Sequence, residues 1–427
     1  MDATARGLAV VATLAARPGG AELLELGQDR ADIALVGGAV RDLLRGGAPR
    51  ELDVVVAGDS AQLAAELASK LPGNDARMPD VTVHERFGTA VVEWTGGRID
   101  VAERRAESYP RPGALPVVRP GSPAEDLARR DFTINAIAVP LGGPHVGELE
   151  AVEHALEDLA AGHLRVLHEN SFIDDPIRLL RLARYRARLR FDVEPETARL
   201  ARGALAAGAL ATVSGARVGA ELWLATEESP PGASFASLGE LGVLEALGLP
   251  SPFDERLLRD AYALKPPDAV ADIVEMAVLF HPVVAPSDMA RQRAAELMNG
   301  FELVAETRER VLAAAFDAPA LVEGIERAQR PSQLRALLAG RPVEAVVIAA
   351  ALAGRRSREA QRRAETWLGR LRDVQLEIGG ADLLAAGLPE GPGIGARLEH
   401  ALDLKLDGQL DGGGREAELN AALAAGV

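Results

Sequence analysis

Two carboxylates stand two residues apart at the start of an apolar, strand-like run. Glu51 and Asp53 flank Leu52 in the stretch ELDVVV. Because side chains alternate between the two faces of a strand, both carboxylates project from one face while Leu52 points into the core. Two carboxylates on one face suit a hard cation such as Mg²⁺, which can activate an attacking hydroxyl and stabilise a leaving pyrophosphate. The pair therefore predicts a metal site.

A glycine pair precedes these acids. Gly37 and Gly38 follow the apolar run IALV and open a helical segment that contains Arg41. Without a Cβ, the backbone can approach a triphosphate closely, and the helix N-terminus offers free N–H groups to it. Each motif alone is more often an ordinary turn or a solvated strand edge than a functional site. Together they indicate nucleotidyl transfer.

The combined pattern resembles a known family. G-G-x-V-R-D followed by acid-x-acid on the next strand is similar to the head-domain signature of the class II tRNA nucleotidyltransferases, which include CCA-adding enzymes and bacterial poly(A) polymerases. The resemblance implies that Gly37, Gly38 and Arg41 bind nucleotide and that Glu51 and Asp53 are catalytic and hold Mg²⁺. The family pattern is usually Asp-x-Asp, so Glu51 is a departure, although Glu remains an oxygen ligand.

A third acid lies on a later strand-like run. Asp100 alternates with Ile99 and Val101 in GRIDVAE, so it could bring a third catalytic carboxylate to the same face as the first two. An isolated acid on a strand is usually solvent-facing, and only the other motifs bring a metal-associated role for Asp100 level with that alternative.

The run R-R-D-F-T-I-N-A matches the second head motif of this family nearly letter for letter. Taken alone, it indicates a salt-bridged charged cluster that enters a strand or a helix. The resemblance implies that Arg129 and Arg130 bind the triphosphate through their planar guanidinium groups. It also implies that Asp131 and Asn135 hydrogen-bond the sugar hydroxyls.

An arginine-rich segment follows in the helical half of the chain. D-D-P-I-R-L-L-R resembles the neck motif, usually E-D-x-x-R, with Asp174 in place of Glu. The pattern predicts a helix capped by Asp174 or Asp175 in which Asp175 and Arg178 lie one turn apart, and the resemblance implies that these two recognise a base edge. Arg181 and Arg184 continue the same stripe and are also expected at the nucleotide. The alternative is a solvated or salt-bridged helix face.

The order of elements predicts an α+β fold: a small mixed-sheet nucleotidyltransferase head followed by an all-helical neck, body and tail. We expect the proline-rich stretch 104–126 to be an irregular loop. The expected parts are a catalytic head (1–142), a helical neck that binds nucleotide and RNA (143–250), a helical body (251–370) and a helical tail that binds tRNA (371–427).

The composition limits the kinds of site and the cellular location that we expect. The chain has no cysteine, which excludes disulfides and thiolate metal sites, and no apolar run approaches the roughly 20 residues of a membrane span. We therefore expect a cytoplasmic protein without a membrane partner; the sequence leaves its oligomeric state open. The net charge of −16 argues against general coating of nucleic acid, so an RNA contact must be confined to a groove.

The resemblance implies attack by an RNA 3′-hydroxyl on the α-phosphorus of ATP or CTP, so that C, A or both are added to the 3′ end of tRNA without a template. The CCA-adding, CC-adding and A-adding subtypes remain open at this point. A bacterial poly(A) polymerase is one alternative. A catalytically silent RNA-binding relative is another, with Glu51 as its only indication.

Overall fold

The computed structural model describes residues 3–28, 30–73, 78–282, 287–410 and 413–426. The chain forms two compact units: Met1–Ser214 with Leu241–Ala246, and Gly215–Glu240 with Leu247–Val427. The division into head, neck, body and tail remains a prediction.

The first unit contains the strands. They are β1 (Ile33–Val36), β2 (Leu52–Val56), β3 (Asp80–His84), β4 (Thr89–Trp94), β5 (Gly97–Glu103), β6 (Arg105–Ser108), β7 (Val117–Pro120), β8 (Ile137–Pro140), β9 (Glu150–Ala151), β10 (His163–Leu164) and β11 (Asp192–Val193). Seven of them form one sheet in the order β3-β4-β5-β2-β1-β8-β9. Within it only β2 and β5 pair in parallel. This mixed sheet confirms the α+β prediction.

Helices fill the rest of the first unit and nearly all of the second. They are α1 (Ala3–Ala15), α2 (Gly20–Gly27), α3 (Gly37–Leu44), α4 (Ser60–Lys70), α5 (Pro123–Ala128), α6 (Ala155–Ala161), α7 (Ser171–Asp174), α8 (Arg178–Leu189), α9 (Pro195–Ala206), α10 (Gly215–Thr226), α11 (Ala233–Glu240), α12 (Val243–Ala246), α13 (Glu255–Leu264), α14 (Ala271–Phe280), α15 (Asp288–Gly300), α16 (Ala305–Leu312), α17 (Ala318–Arg327), α18 (Pro331–Leu338), α19 (Val343–Arg356), α20 (Arg358–Gly369), α21 (Gly380–Ala385), α22 (Gly393–Leu406) and α23 (Gly414–Ala424). Single turns of 3₁₀ helix lie at Glu85–Phe87, Thr133–Asn135, Ala209–Thr212 and Leu371–Asp373, and a π-helical turn lies at Ala313–Asp317.

Alternation along β2 separates the core from the site. Leu52 and Val54 join the main hydrophobic core together with Ile99 of β5. Val55 belongs to a smaller cluster on the opposite face, which Leu127 of α5 covers. Asp53 therefore projects from this second face, because it is two residues before Val55.

The parallel pairing of β2 with β5 is the feature that assembles the site. Its register places Asp53 directly opposite Asp100, next to the pair Leu52 and Ile99. Parallel neighbours need a long crossover connection, and here α4, β3 and β4 provide it. Residues distant in sequence thus meet at the same end of the sheet.

The prediction of an irregular loop over 104–126 was wrong. β6 and β7 form an antiparallel hairpin in which Arg105 pairs with Pro120. α5 then begins with a capping box in which Ser122 and Glu125 bond each other's backbone N–H groups. The prolines interrupt the hydrophobic period, so the pattern gave no sign of these short edge strands.

The second unit is helical. Its helix α19 is apolar on nearly every side, with Val346, Ile348 and Ala350 all fully buried, which is typical of a helix at the centre of a core. Among the described residues, no helix is both long enough and apolar enough to cross a membrane.

Candidate active site

Three carboxylates converge at the end of the sheet where β2 begins. Glu51, Asp53 and Asp100 each offer one oxygen atom, and these oxygens lie within 4.8 Å of one another. Glu51 is exposed and the other two are partly buried. The structure therefore brings together the three acids that the sequence proposed as catalytic.

Asp53 is the acid of this cluster whose pKa is shifted most strongly. Burial, reinforced by repulsion from Glu51 and Asp100, raises the pKa of Asp53 to about 7, although Arg130 and Arg41 oppose the increase. Partial desolvation by the surrounding protein and the nearby Asp100 also raise the pKa of Glu51, although part of its side chain remains exposed. Like charges held close together disfavour ionisation unless a cation joins them.

These residues fit a divalent cation. Carboxylate oxygens are the ligands that Mg²⁺ prefers, and ligands about 2.1 Å from an ion lie no more than about 4.2 Å apart. Only a small contraction of the three side chains would be needed. The raised pKa of Asp53 is a second sign, because a bound cation would offset the burial and the repulsion from neighbouring acids that raise it.

Arg98 contacts this cluster, and sequence reasoning missed it. Its Nε lies 2.8 Å from Asp100 Oδ1 and its Nη2 lies 3.2 Å from Oδ2. The same Nε is 3.7 Å from Glu51 Oε2. Arg98 and Asp100 are two residues apart on one strand, and that spacing was the available signal.

The glycine turn lies beside the carboxylates. Gly37 has a φ of 67°, in the left-handed region, and a Cβ there would lie 2.8 Å from Arg130 Nη1 and 3.7 Å from Asp53 Oδ2. At Gly38 a Cβ would meet nothing closer than 3.5 Å. Gly37 is therefore required by conformation and space, whereas a Cβ at Gly38 would fit at ordinary contact distance near the N-terminus of α3.

Asp126 organises the two arginines of the second head motif. Its Oδ1 accepts from Arg129 at 2.8 and 3.0 Å, and its Oδ2 accepts from Arg130 at 2.9 Å. Arg129 also donates to Glu107 at 3.0 Å, so much of its guanidinium group is engaged inside the protein. Within the described part of the chain, the buried Nε of Arg130 has no hydrogen-bond partner.

Asp131 and Asn135 belong to a buried polar chain. Asn135 donates to Asp131 at 3.0 Å and accepts from Arg41 Nη1 at 2.6 Å. Arg41 also bonds Asp42 at 2.8 Å and is only 1% exposed. At the far end, Arg181 pairs with Asp131 at 3.1 Å. These groups hold one another in place beside the glycine turn.

The neck segment differs from its prediction in one respect. The helix α8 begins at Arg178 with no side-chain cap, so Asp175 lies before the helix and neither aspartate caps it. A turn joins them, in which Arg178 N donates to Asp175 O at 3.1 Å. Arg178 is 3% exposed and donates to Ser171 Oγ at 2.5 Å and to the carbonyl of Arg129 at 2.7 Å.

Three arginine side chains lie close to the ring of Tyr185, a residue that sequence reasoning did not identify. The guanidinium carbons of Arg41, Arg181 and Arg184 lie 5.6, 5.8 and 5.3 Å from the centre of its ring, within the range of cation–π attraction. Its hydroxyl also bonds Arg181 at 3.1 Å. The spacing of four residues from Arg181 on one helix was the available signal.

Comparison with known proteins extends these observations. The family described as "Poly A polymerase head domain" matches residues 33–165. An A-adding tRNA nucleotidyltransferase of Halalkalibacterium halodurans is 43% identical over 223 residues, which are 51% of this chain and 50% of that protein. A CC-adding tRNA nucleotidyltransferase of Deinococcus radiodurans is 33% identical over 382 residues, 88% of this chain and 85% of that protein.

A solved structure gives the same result in three dimensions. The Thermotoga maritima CCA-adding enzyme complexed with tRNA has a TM-score of 0.74 and 28% identity, over 97% of this chain and 98% of that one.

The chain spans only about half the length of two A-adding relatives, 50% for the Halalkalibacterium halodurans protein and 46% for one of Geobacter sulfurreducens. The relative from Deinococcus radiodurans, in contrast, is matched over most of its length. The carboxylates, the glycine turn and this extended similarity agree: the chain belongs to the class II tRNA nucleotidyltransferase family.

Proposed function

We propose that this protein adds C, A or both to the 3′ end of tRNA without a template and releases pyrophosphate from CTP or ATP. The observation that carries the proposal is the register that sets Asp53 opposite Asp100, with Glu51 in reach of both and the left-handed turn of Gly37 alongside. A cation site next to an open helix N-terminus is what transfer from a nucleoside triphosphate requires.

Family membership implies a divalent metal, and we assign it as Mg²⁺ held by Glu51 and Asp53, with Asp100 completing the set. When bound, Mg²⁺ supplies activation of the attacking hydroxyl and charge neutralisation on the leaving pyrophosphate. The protein's own contribution is to hold these carboxylates on one sheet face. Catalysis then comes from positioning and electrostatics rather than from a covalent intermediate.

The triphosphate would lie against the turn of Gly37 and Gly38, where backbone N–H groups are available. Arg130 supports this placement, because its buried Nε lacks a hydrogen-bond partner among the described residues and its Nη1 adjoins Gly37. An unsatisfied buried donor costs about 1–3 kcal/mol, which a phosphate oxygen could offset. Arg129, Asp131 and Asn135 would contribute by holding the side chains beside this turn in place.

Base choice would depend on the neck. We assign it to Asp175 and Arg178, with Arg181 and Arg184 beside them. Arg178 and Arg181 contact the head motif, Asp175 is joined to Arg178 by a turn, and Arg184 lies over the ring of Tyr185. Arg178 keeps further N–H groups beyond the two bonds described above. RNA binding would use a local arginine-rich groove together with the tail at 371–427. A cytoplasmic location suits these substrates.

The test is a transfer assay on three tRNAs that end at the discriminator base, at C or at CC, each incubated with Mg²⁺ and one of the four triphosphates. Addition of C, of CC or of the terminal A identifies the subtype, and a long A tract identifies a poly(A) polymerase. Asp53→Ala should abolish transfer without lowering the melting temperature, because the raised pKa of Asp53 means that its ionised form does not stabilise the fold. Glu51→Asp should keep substantial activity, since it restores the usual family residue.

A matched control is Asp59→Asn, which removes one carboxylate at the N-cap of α4 while keeping a capping side chain. This variant should transfer at the wild-type rate. Wild-type activity of Asp53→Ala in Mg²⁺ would refute the metal assignment. Salt-sensitive binding of tRNA without any transfer would identify a silent RNA-binding relative.

A further inference from the structure

Arg98 lies between two sets of acids. On one side it makes the two bonds to Asp100 at 2.8 and 3.2 Å and approaches Glu51 at 3.7 Å. On the other side its Nη1 lies 3.3 Å from Glu93 Oε1. Glu93 is the residue directly opposite Arg98 on the neighbouring strand β4, and it is not one of the three converging carboxylates.

The first set overlaps with the proposed metal site. Both oxygens of Asp100 already accept from the guanidinium group, so a divalent cation that binds Asp100 must share this carboxylate with Arg98. A positive guanidinium next to a divalent cation is also repelled by it. Both effects oppose metal binding while Arg98 stays on Asp100.

Glu93, on the other side, is a partner that Arg98 already contacts through Nη1. Side chains directly opposite on antiparallel strands are within reach of each other, and the side chain of Arg98 is 44% exposed, which leaves room to rotate. Moving toward Glu93 would keep an ion pair and release Asp100. A long, flexible side chain between two acceptors can exchange them at small cost, because exposed ion pairs contribute only about 0–1 kcal/mol each.

We propose that Arg98 is a positioning residue for the metal site: it contacts both Asp100 and Glu93 when no divalent cation is bound and keeps only Glu93 when one binds. This inference rests on the proposed function, because it needs Glu51, Asp53 and Asp100 to hold a metal. It adds a residue, and a direction of its effect, that the carboxylates alone do not give. Removing the arginine should strengthen metal binding.

The experiment is titration of the full chain with Mn²⁺ alone, with free Mn²⁺ followed by electron paramagnetic resonance. The ion that is lost in Asp53→Ala defines the site among the protein's other acids. Arg98→Ala should lower the Kd of that ion roughly two- to fivefold, the size expected for an exposed ion pair. Arg98→Lys should lie between Arg98→Ala and wild type, since it keeps the charge and loses the paired contact.

Two controls separate this effect from net charge. Arg30→Ala removes the same charge from a residue whose partners are Asp32 and Glu66, and should leave the Kd unchanged. Glu93→Gln should raise the Kd in the wild-type background and change it much less in the Arg98→Ala background, as a double-mutant cycle would show. Melting temperatures of all variants verify that they are folded.

The outcomes distinguish the inference from the proposed function. If Arg98→Ala binds Mn²⁺ as Arg30→Ala does, or more weakly, the role of Arg98 is refuted while the metal site stands. If wild-type protein shows no Mn²⁺ binding that depends on Asp53, the metal site itself fails, and the inference fails with it.

Discussion

Replacing Gly37 by alanine tests the turn beside the carboxylates. Gly37 has a φ of 67°, and a residue with a Cβ pays about 1–2 kcal/mol in that left-handed conformation. The new Cβ would also lie 2.8 Å from Arg130 Nη1, which is closer than atoms pack. Because that nitrogen is the end of a flexible side chain, we expect it to move rather than to add much strain.

The structure gives the size of the effect. A loss of about 1–2 kcal/mol in a unit of this length lowers the melting temperature by about 2–8 °C. Gly38→Ala is the matched control, because Gly38 is outside the left-handed region and its Cβ would contact only Arg41 at 3.5 Å and Asp53 at 3.8 Å. In a helical position alanine is favoured over glycine by about 0.5–1 kcal/mol, so Gly38→Ala should melt at the wild-type temperature or slightly above it.

Thermal denaturation followed by circular dichroism, together with ATP and CTP affinities from calorimetry, measures both consequences. Gly37→Ala should lose stability and bind both triphosphates more weakly, because Arg130 is displaced. Gly38→Ala should keep stability and lose affinity, because its methyl group occupies the space where we place the triphosphate. Equal melting temperatures for the two variants would refute the conformational argument, and unchanged affinity in both would refute the placement of the triphosphate.

Three further predictions concern other parts of the chain. Arg178→Ala should lower stability by about 2–4 kcal/mol, because two buried bonds from a charged donor are lost. It should also relax the preference among the four triphosphates, whereas Arg129→Ala should weaken all four similarly; unchanged kcat/KM ratios in Arg178→Ala would limit that residue to a structural role. Burial raises the pKa of Glu275 to about 7. Its protonated form is therefore favoured by folding, and stability should fall by up to about 3 kcal/mol as pH rises from 4.5 to 7, a loss that urea denaturation should not find in Glu275→Gln. Finally, log affinity for tRNA should fall with log salt with a slope of only a few charges, and binding that does not respond to salt would contradict an arginine groove.

The sequence was sufficient for those features that depend on local pattern. Alternation along ELDVVV correctly placed Glu51 and Asp53 on one face, and the same rule placed Asp100 as a candidate. The sequence pattern did not show which strand pairs with β2. The parallel pairing with β5 depends on how a long crossover packs. Local periodicity carries no information about that register.

The side-chain partners of the arginines were equally hard to predict. Six arginines between 178 and 190 resemble a solvated stripe by spacing alone, yet Arg178 is buried because Ser171 and the Arg129 carbonyl satisfy it. Burial of a charge depends on acceptors from other segments, and a helical pattern does not show which acceptors the fold supplies. The roles of Asp126 and Tyr185 depend on the same long-range geometry.

The contacts between the head motif and helix α8 limit how heads can be exchanged between family members. The head-domain similarity ends at residue 165, but Arg178 bonds the backbone of Arg129, Arg188 pairs with Asp42, and Tyr185 packs edge-on against Phe132. A chimera joined at that boundary would place Arg188 and Tyr185 against side chains of a different head, and Arg178 against a differently positioned backbone. Exchange of heads between relatives should therefore succeed only with junctions placed after α8, so that strand, turn and helix are inherited as one module.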